Sequence, residues 1–217
     1  MITRFGLAPR KPGLTAAEFQ SHWHGQHGAL AAQIAGVRRY WQNHAVLIQG
    51  EPLLPWPGFD ACADIDFADL ATMQAGFAAE TYTRHVRSDE KQLVEKEKGG
   101  LVITRRTLQQ GSIDPGRIRL LTFMRLAPER DLQALDAALT SLSVASTAIG
   151  REVFLAIDTR QIGLASNLFD AVETHWFADS AAAQHYLTSA QARERRHGIA
   201  ELVRGVERLI AHIRVIV

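Results

Sequence analysis

Apolar residues change their period several times along the chain, and each change marks an element. Ile2 to Ala8 reads as a strand closed by Pro9 and Pro12. Thr15-Ala16-Ala17-Glu18 is a capping box, whose hydroxyl and carboxylate satisfy free amides of a first helical turn. That helix is predicted to run to about Gln33, with Gly36 as its stop. Val37 to Gln49 follows as a long strand, and Pro52, Pro55 and Pro57 force a loop. Phe59 to Phe67 alternates: Phe59, Ala61, Ala63, Ile65 and Phe67 face one way, Asp60, Asp64 and Asp66 the other. A second helix is expected from Asp69 to about Ala79, and a last strand from Leu101 to Leu108.

This β-α-β-β-α-β order is the ferredoxin-like arrangement, and it recurs. Phe59-Asp60-Ala61 through Phe67-Ala68-Asp69 returns 110 positions later as Phe169-Asp170-Ala171 through Phe177-Ala178-Asp179. Leu7-Ala8-Pro9 is echoed by Leu126-Ala127-Pro128, and Gly36 by Gly150. The pattern is that of a tandem duplication. The second copy is expected to hold strands at 117–126, 151–157, 167–177 and 208–216, helices near 129–144 and 180–187, and an added helix near 190–203. Gln109 to Gly116 is the linker candidate, dividing the chain into units 1–111 and 117–217. Helices cover only one face of such a sheet, so the other needs a partner sheet. The predicted fold is α+β: two tandem ferredoxin-like units whose antiparallel sheets pack as an internal pseudo-dimeric barrel.

Composition narrows the function. Among 217 residues, 24 Lys and Arg balance 23 Asp and Glu, which gives no support to a nucleic-acid or acidic-membrane partner. The single cysteine, Cys62, can neither close an internal disulfide nor build a zinc site alone, and favours a reducing compartment. No signal-peptide pattern opens the chain, and no apolar run approaches about 18 residues. A cytoplasmic protein is expected.

Chemistry concentrates in the first helix. Phe19, Trp23, His27, Leu30 and Ile34 form one helical stripe whose only polar member is His27. His27 is therefore either a hydrogen-bonded core histidine or a general acid/base in a pocket between helix and sheet. His22, one turn from Gln26, lies beside the stripe, and His24 falls on the opposite side. His22 and His24 diverge on a helix and no His-Glu-x-x-His occurs, so no metal site is assigned. On the next strand, Tyr40, Gln42 and His44 share one face and Arg39, Trp41 and Asn43 the other, so Tyr40 or Asn43 approaches the imidazole. Trp41, Trp56 and Trp176 are candidates for an aromatic pocket lining, with core packing the default.

Phe19-x-x-His22-Trp23-x-x-x-His27-x-x-Leu30, followed by Gly36-x-Arg38-Arg39-Tyr40-x-Gln42-Asn43-His44, resembles the EthD family of the dimeric α+β barrel superfamily. Asp89-Glu90 ahead of Leu101-Val102-Ile103-Thr104 is similar to that family's third block. The resemblance implies that His27 and Tyr40 act on an enolisable substrate without a cofactor, with Asn43 as a further catalytic candidate. It leaves His22, Trp23, Trp41, His44, His85 and Asp89 as candidates for substrate binding. The second copy departs from the motif, because 131–146 holds no Trp-x-x-x-His and Arg151-Glu152-Val153-Phe154 replaces the Arg-Arg-Tyr block.

The second copy has its own candidates. Glu173 and His175 stand where the first copy has Ala63 and Ile65, and they project together about 7 Å apart. Arg193, Arg195, Arg196 and His197 read as a solvated helix face. Two functional classes remain: a cofactor-free lyase or isomerase on a small carbonyl compound, aromatic or polyketide-like, and a non-catalytic small-molecule-binding protein. A haem-dependent or cofactor-free oxygenase stays open, because one histidine can be an axial ligand. Either a monomer with an internal pseudo-dimer or a homodimer of it is expected.

Overall fold

The computed structural model describes residues 1–54, 58–159 and 166–217. They separate into two compact units, 1–103 with 213–217, and 104–212. This division falls inside the last strand of each repeat, whereas the sequence places it at the turn after Gly111.

The first unit contains β1 (Ile2–Ala8), α1 (Ala16–His22), a π-helical turn (Trp23–His27) and α2 (Gly28–Ala31). Then come β2 (Val37–Ala45), a hairpin of β3 (Leu47–Ile48) and β4 (Glu51–Pro52), β5 (Ala61–Phe67) and α3 (Leu70–Ala78). A second π-turn (Thr81–Val86) leads into α4 (Arg87–Leu93) and the start of β6 (Gly100–Gly111). Strand β5 pairs antiparallel with β1 on one side and β2 on the other, setting Tyr40 opposite Ile65.

The second unit repeats this order with β7 (Ile118–Leu126), α5 (Leu132–Ser141), β8 (Gly150–Ala156), β9 (Ala171–Phe177), α6 (Ser180–Thr188), α7 (Ala190–Ile199) and β10 (Val203–Val215). Here β9 is the central strand, between β7 and β8. Each unit combines helices with antiparallel strands, so the class is α+β.

The duplicated sequence motif has one physical job in both units. Asp60 and Asp170 accept from the backbone amides of Arg10 and Leu126, at 2.6 and 2.8 Å. Asp69 and Asp179 cap the following helices by accepting from the Thr72 and Ala182 amides, each at 2.8 Å. The capping box of α1 is formed, with Thr15 and Glu18 bonding each other's amides. Gly36 closes the first helical segment at φ +80°, where a Cβ would meet the Thr72 methyl.

Four expectations are corrected. The strand after Gly36 ends at Ala45 rather than Gln49, because the β3–β4 hairpin takes over. Three residues of the expected linker, Gln109 to Gly111, belong to β6 and pair with β8. The helix near 190–203 is not an addition to the second unit, since the first has its counterpart over Thr81–Leu93. Its stripe of Tyr82, Val86, Asp89 and Leu93 is buried at helical spacing, but a carboxylate inside the stripe disguises it. Finally, Arg195 is not solvated: it is buried and bonded to Glu173.

Candidate active site

Helix α1 and its π-turn bury Phe19, Trp23 and His27 along one line. The Trp23 ring stacks on Phe19 at 5.4 Å and on His44 at 4.6 Å. Below it, Gln42 donates from Nε2 to the Trp23 carbonyl at 2.7 Å and to the Tyr40 hydroxyl at 3.1 Å. The His44 Nε2 lies 2.9 Å from Gln42 Oε1, so Tyr40, Gln42 and His44 form one buried chain on the helix-facing side of β2. Burial pushes the Tyr40 phenol up to about 12 against the hydrogen bonds from Gln42 and Trp23, which keeps it protonated and able to donate.

The opposite face of β2 is a different environment. Asn43 donates to the Cys62 carbonyl at 2.9 Å, and Arg39 pairs with Asp64 and Asp66, each at 2.8 Å. The Trp41 ring lies 3.9 Å below the Arg39 guanidinium. Strand alternation therefore takes Asn43 and Trp41 away from the side that carries Tyr40.

Asp89 is the centre of the site. Its side chain is 3% exposed, and each carboxylate oxygen meets an imidazole. Oδ2 lies 2.9 Å from His27 Nδ1, and Oδ1 lies 2.8 Å from His22 Nε2 and 2.6 Å from the Gln26 amide nitrogen. Burial pushes the Asp89 carboxyl up, but hydrogen bonds from both histidines outweigh it and hold the group below the usual carboxylate range. For His27, burial lowers the pKa, and Asp89 and Glu90 only partly oppose it. The pair is thus an ionised carboxylate and a neutral imidazole. Asp89 accepts from Nδ1–H, so the lone pair sits on Nε2, for which the described residues provide no hydrogen bond.

The π-turn makes this arrangement possible. Residues five apart on an α-helix diverge by roughly 140°, which would send His22 and His27 to different sides. Bonding from i to i+5 over Trp23–His27 narrows that divergence, and one carboxylate reaches both. Gln26 and Gln42 were not singled out from the sequence. The signals were there: Gln26 is one turn from His22, and Gln42 alternates with Tyr40 and His44.

His85 lies on the second π-turn and is exposed. Glu173 and His175 belong to the second unit, where Glu173 bonds Arg151 Nε at 2.8 Å and Arg195 Nε at 3.0 Å. His175 packs against Phe177 and Tyr186, and both its nitrogens lack a hydrogen bond. Trp176 is fully buried and donates to Glu152 at 3.2 Å, while Trp56 lies outside the described residues. Among the described residues, no group of three His, Cys, Asp or Glu is placed to hold a metal ion, and no helix is long and apolar enough to cross a membrane.

Residues 11–97 match the EthD domain family. Over this segment the chain is similar to an EthD domain. The segment contains α1, both π-turns, β2, β5 and α4, and so the whole His22–Asp89–His27 constellation. No curated protein matches the chain. Solved structures share the fold beyond the EthD segment. An anthrone oxidase-like protein is 12% identical with a TM-score of 0.69, covering 99% of this chain and 93% of its own. Chlorite dismutase of Candidatus Nitrospira defluvii is 12% identical with a TM-score of 0.54, covering 99% and 91%. A major regulator of staphylococcal pathogenesis is 10% identical with a TM-score of 0.54, covering 99% and 100%. At such identities the likeness is one of fold, and the fold does not name the chemistry.

Proposed function

We propose that the EthD-like segment is a cofactor-free acid/base enzyme, a lyase or isomerase acting on a small carbonyl-containing substrate. The observation that carries this reading is the 2.9 Å contact between buried His27 and Asp89. The carboxylate fixes the imidazole tautomer, and burial keeps the ring neutral at physiological pH, so Nε2 is a base. Nε2 takes a proton from carbon beside the carbonyl, and the C–H electron pair becomes the enolate. Tyr40, held through Gln42, donates a hydrogen bond to the enolate oxygen. The proton then returns to a different carbon, which is isomerisation, or to a departing hydroxyl, which leaves as water. The similarity to an anthrone oxidase-like protein supports aromatic ketones as the first compounds to test.

An imidazole anchored by a carboxylate is also a suitable axial ligand for haem iron, so an oxygenase is the second reading. Two measurements separate them. Incubating enolisable ketones with the protein in D2O should show C–H exchange by NMR that is lost in His27→Ala. A Soret band in the purified protein, or equal exchange in the variant, would overturn the cofactor-free reading.

A further inference from the structure

One buried carboxylate serves two imidazoles that differ in their access to water. The His27 side chain is 8% exposed and the His22 side chain 28% exposed. They bind opposite oxygens of Asp89, and Gln26 shares the oxygen used by His22. We propose that His22 is a positioning residue that, through Asp89, couples protonation at the solvent-facing imidazole to the basicity of the buried one.

Neutral His22 donates from Nε2 to Asp89 Oδ1, leaving its Nδ1 for solvent. When Nδ1 gains a proton, the cation forms a full ion pair with Asp89 and withdraws negative charge from Oδ2. The buried ring then faces a weaker anion and a nearby positive charge, both of which make Nε2 a poorer base. Gln26 donates to the same oxygen without charge and holds the carboxylate in place in either state. The remaining charged group acting on His27 is Glu90, on the same helix as Asp89 and paired with Lys96. On β2, the titratable groups of the helix-facing side are Tyr40 and His44, both bonded within the Gln42 chain. Among the described partners of Asp89, His22 is thus the imidazole more open to solvent, and it tunes the base without touching substrate.

The consequence for turnover rests on the acid/base reading, but the coupling itself is measurable on the resting protein. Histidine NMR titrations of wild type and His22→Gln, which keeps a neutral donor, decide it. In wild type, the His27 Cε1–H shift should follow two steps, one coinciding with the midpoint of His22. In His22→Gln it should follow one step, with proton affinity raised about threefold, or about half a pH unit. Identical His27 curves in the two proteins would overturn the proposal. If the variant does not fold, ring 15N shifts of wild type alone suffice. A His27 curve with no inflection at the His22 midpoint overturns the coupling, and an inflection there supports it. Coupling observed in a protein that exchanges no ketone protons would leave this inference standing while the catalytic reading fell.

Discussion

Arg151 stands opposite His175 in the second unit at the register where Tyr40 stands opposite Ile65 in the first. A phenol beside an aliphatic side chain has become a guanidinium beside an imidazole. Arg151 donates to Glu173 and to the Leu139 and Leu142 carbonyls at the end of α5, and Arg195 joins Glu173 from α7. Helices and strands are thus tied by buried charge where the first unit holds Tyr40 and Gln42. His27 has no such counterpart in the second unit, so the two repeats share a frame and differ in chemistry.

Removing Glu173 should cost stability and leave the site intact. Glu173→Gln strands two buried guanidinium groups, a change expected to destabilise the second unit by about 3–5 kcal/mol. Chemical denaturation measures it, and exchange activity per folded molecule should be unchanged. A loss below about 1 kcal/mol would show that the helix carbonyls suffice for both arginines.

Acid should weaken the second unit through His175. Burial holds its pKa at about 4, whereas a histidine in the unfolded chain has about 6.5. As pH falls between these values, the unfolded chain takes up a proton that the folded protein refuses, and stability falls by up to about 3 kcal/mol. Burial pushes Glu173 up, but His175, Arg195 and Arg151 outweigh it and lower the group to about 2, which adds a further loss below its ordinary 4.5. His175→Phe should reduce the difference in unfolding free energy between pH 7 and pH 4.5 by about 2 kcal/mol. An unchanged difference would mean that another group dominates the acid response.

The dyad makes a kinetic prediction. His27→Ala and Asp89→Asn should each lower kcat about 10²–10⁴-fold, the usual worth of a placed proton-transfer group. Because burial depresses the His27 pKa, kcat/KM should rise with pH and level off below 6.5 in the wild type. A variant with normal turnover and a lowered melting temperature would make His27 a structural histidine.

Tyr40→Phe keeps the ring and removes one hydroxyl. If Tyr40 supports the enolate oxygen, kcat should fall about 10²–10³-fold with little loss of stability. A phenol held at about 12 also predicts no alkaline limb from Tyr40 below pH 10. Unchanged kcat, with stability lowered by about 0.5–1.5 kcal/mol, would confine the hydroxyl to the Gln42 network.

By itself, the sequence determined everything that depends on near neighbours. Alternation along β5, the Thr15–Glu18 box, Asp69 and Asp179 as caps, and the repeat at 110 residues all follow from local periodicity and hydrogen bonding. They were enough to give the ferredoxin-like order of both units and to place His27 in a buried stripe. Tertiary structure decided which distant groups meet. Asp89 is 62 residues from His27 and hides in the stripe of a helix that its own charge makes hard to recognise. His22 and His27 face one carboxylate across a helix that widens into a π-turn, a departure that a 3.6-residue period cannot reveal. The same holds for β2, whose alternation splits Tyr40 from Asn43 while leaving open which one faces the helix. The hydrogen bond from Gln42 to the Trp23 carbonyl settles that choice, turning the face of β2 that carries Tyr40 toward the helix.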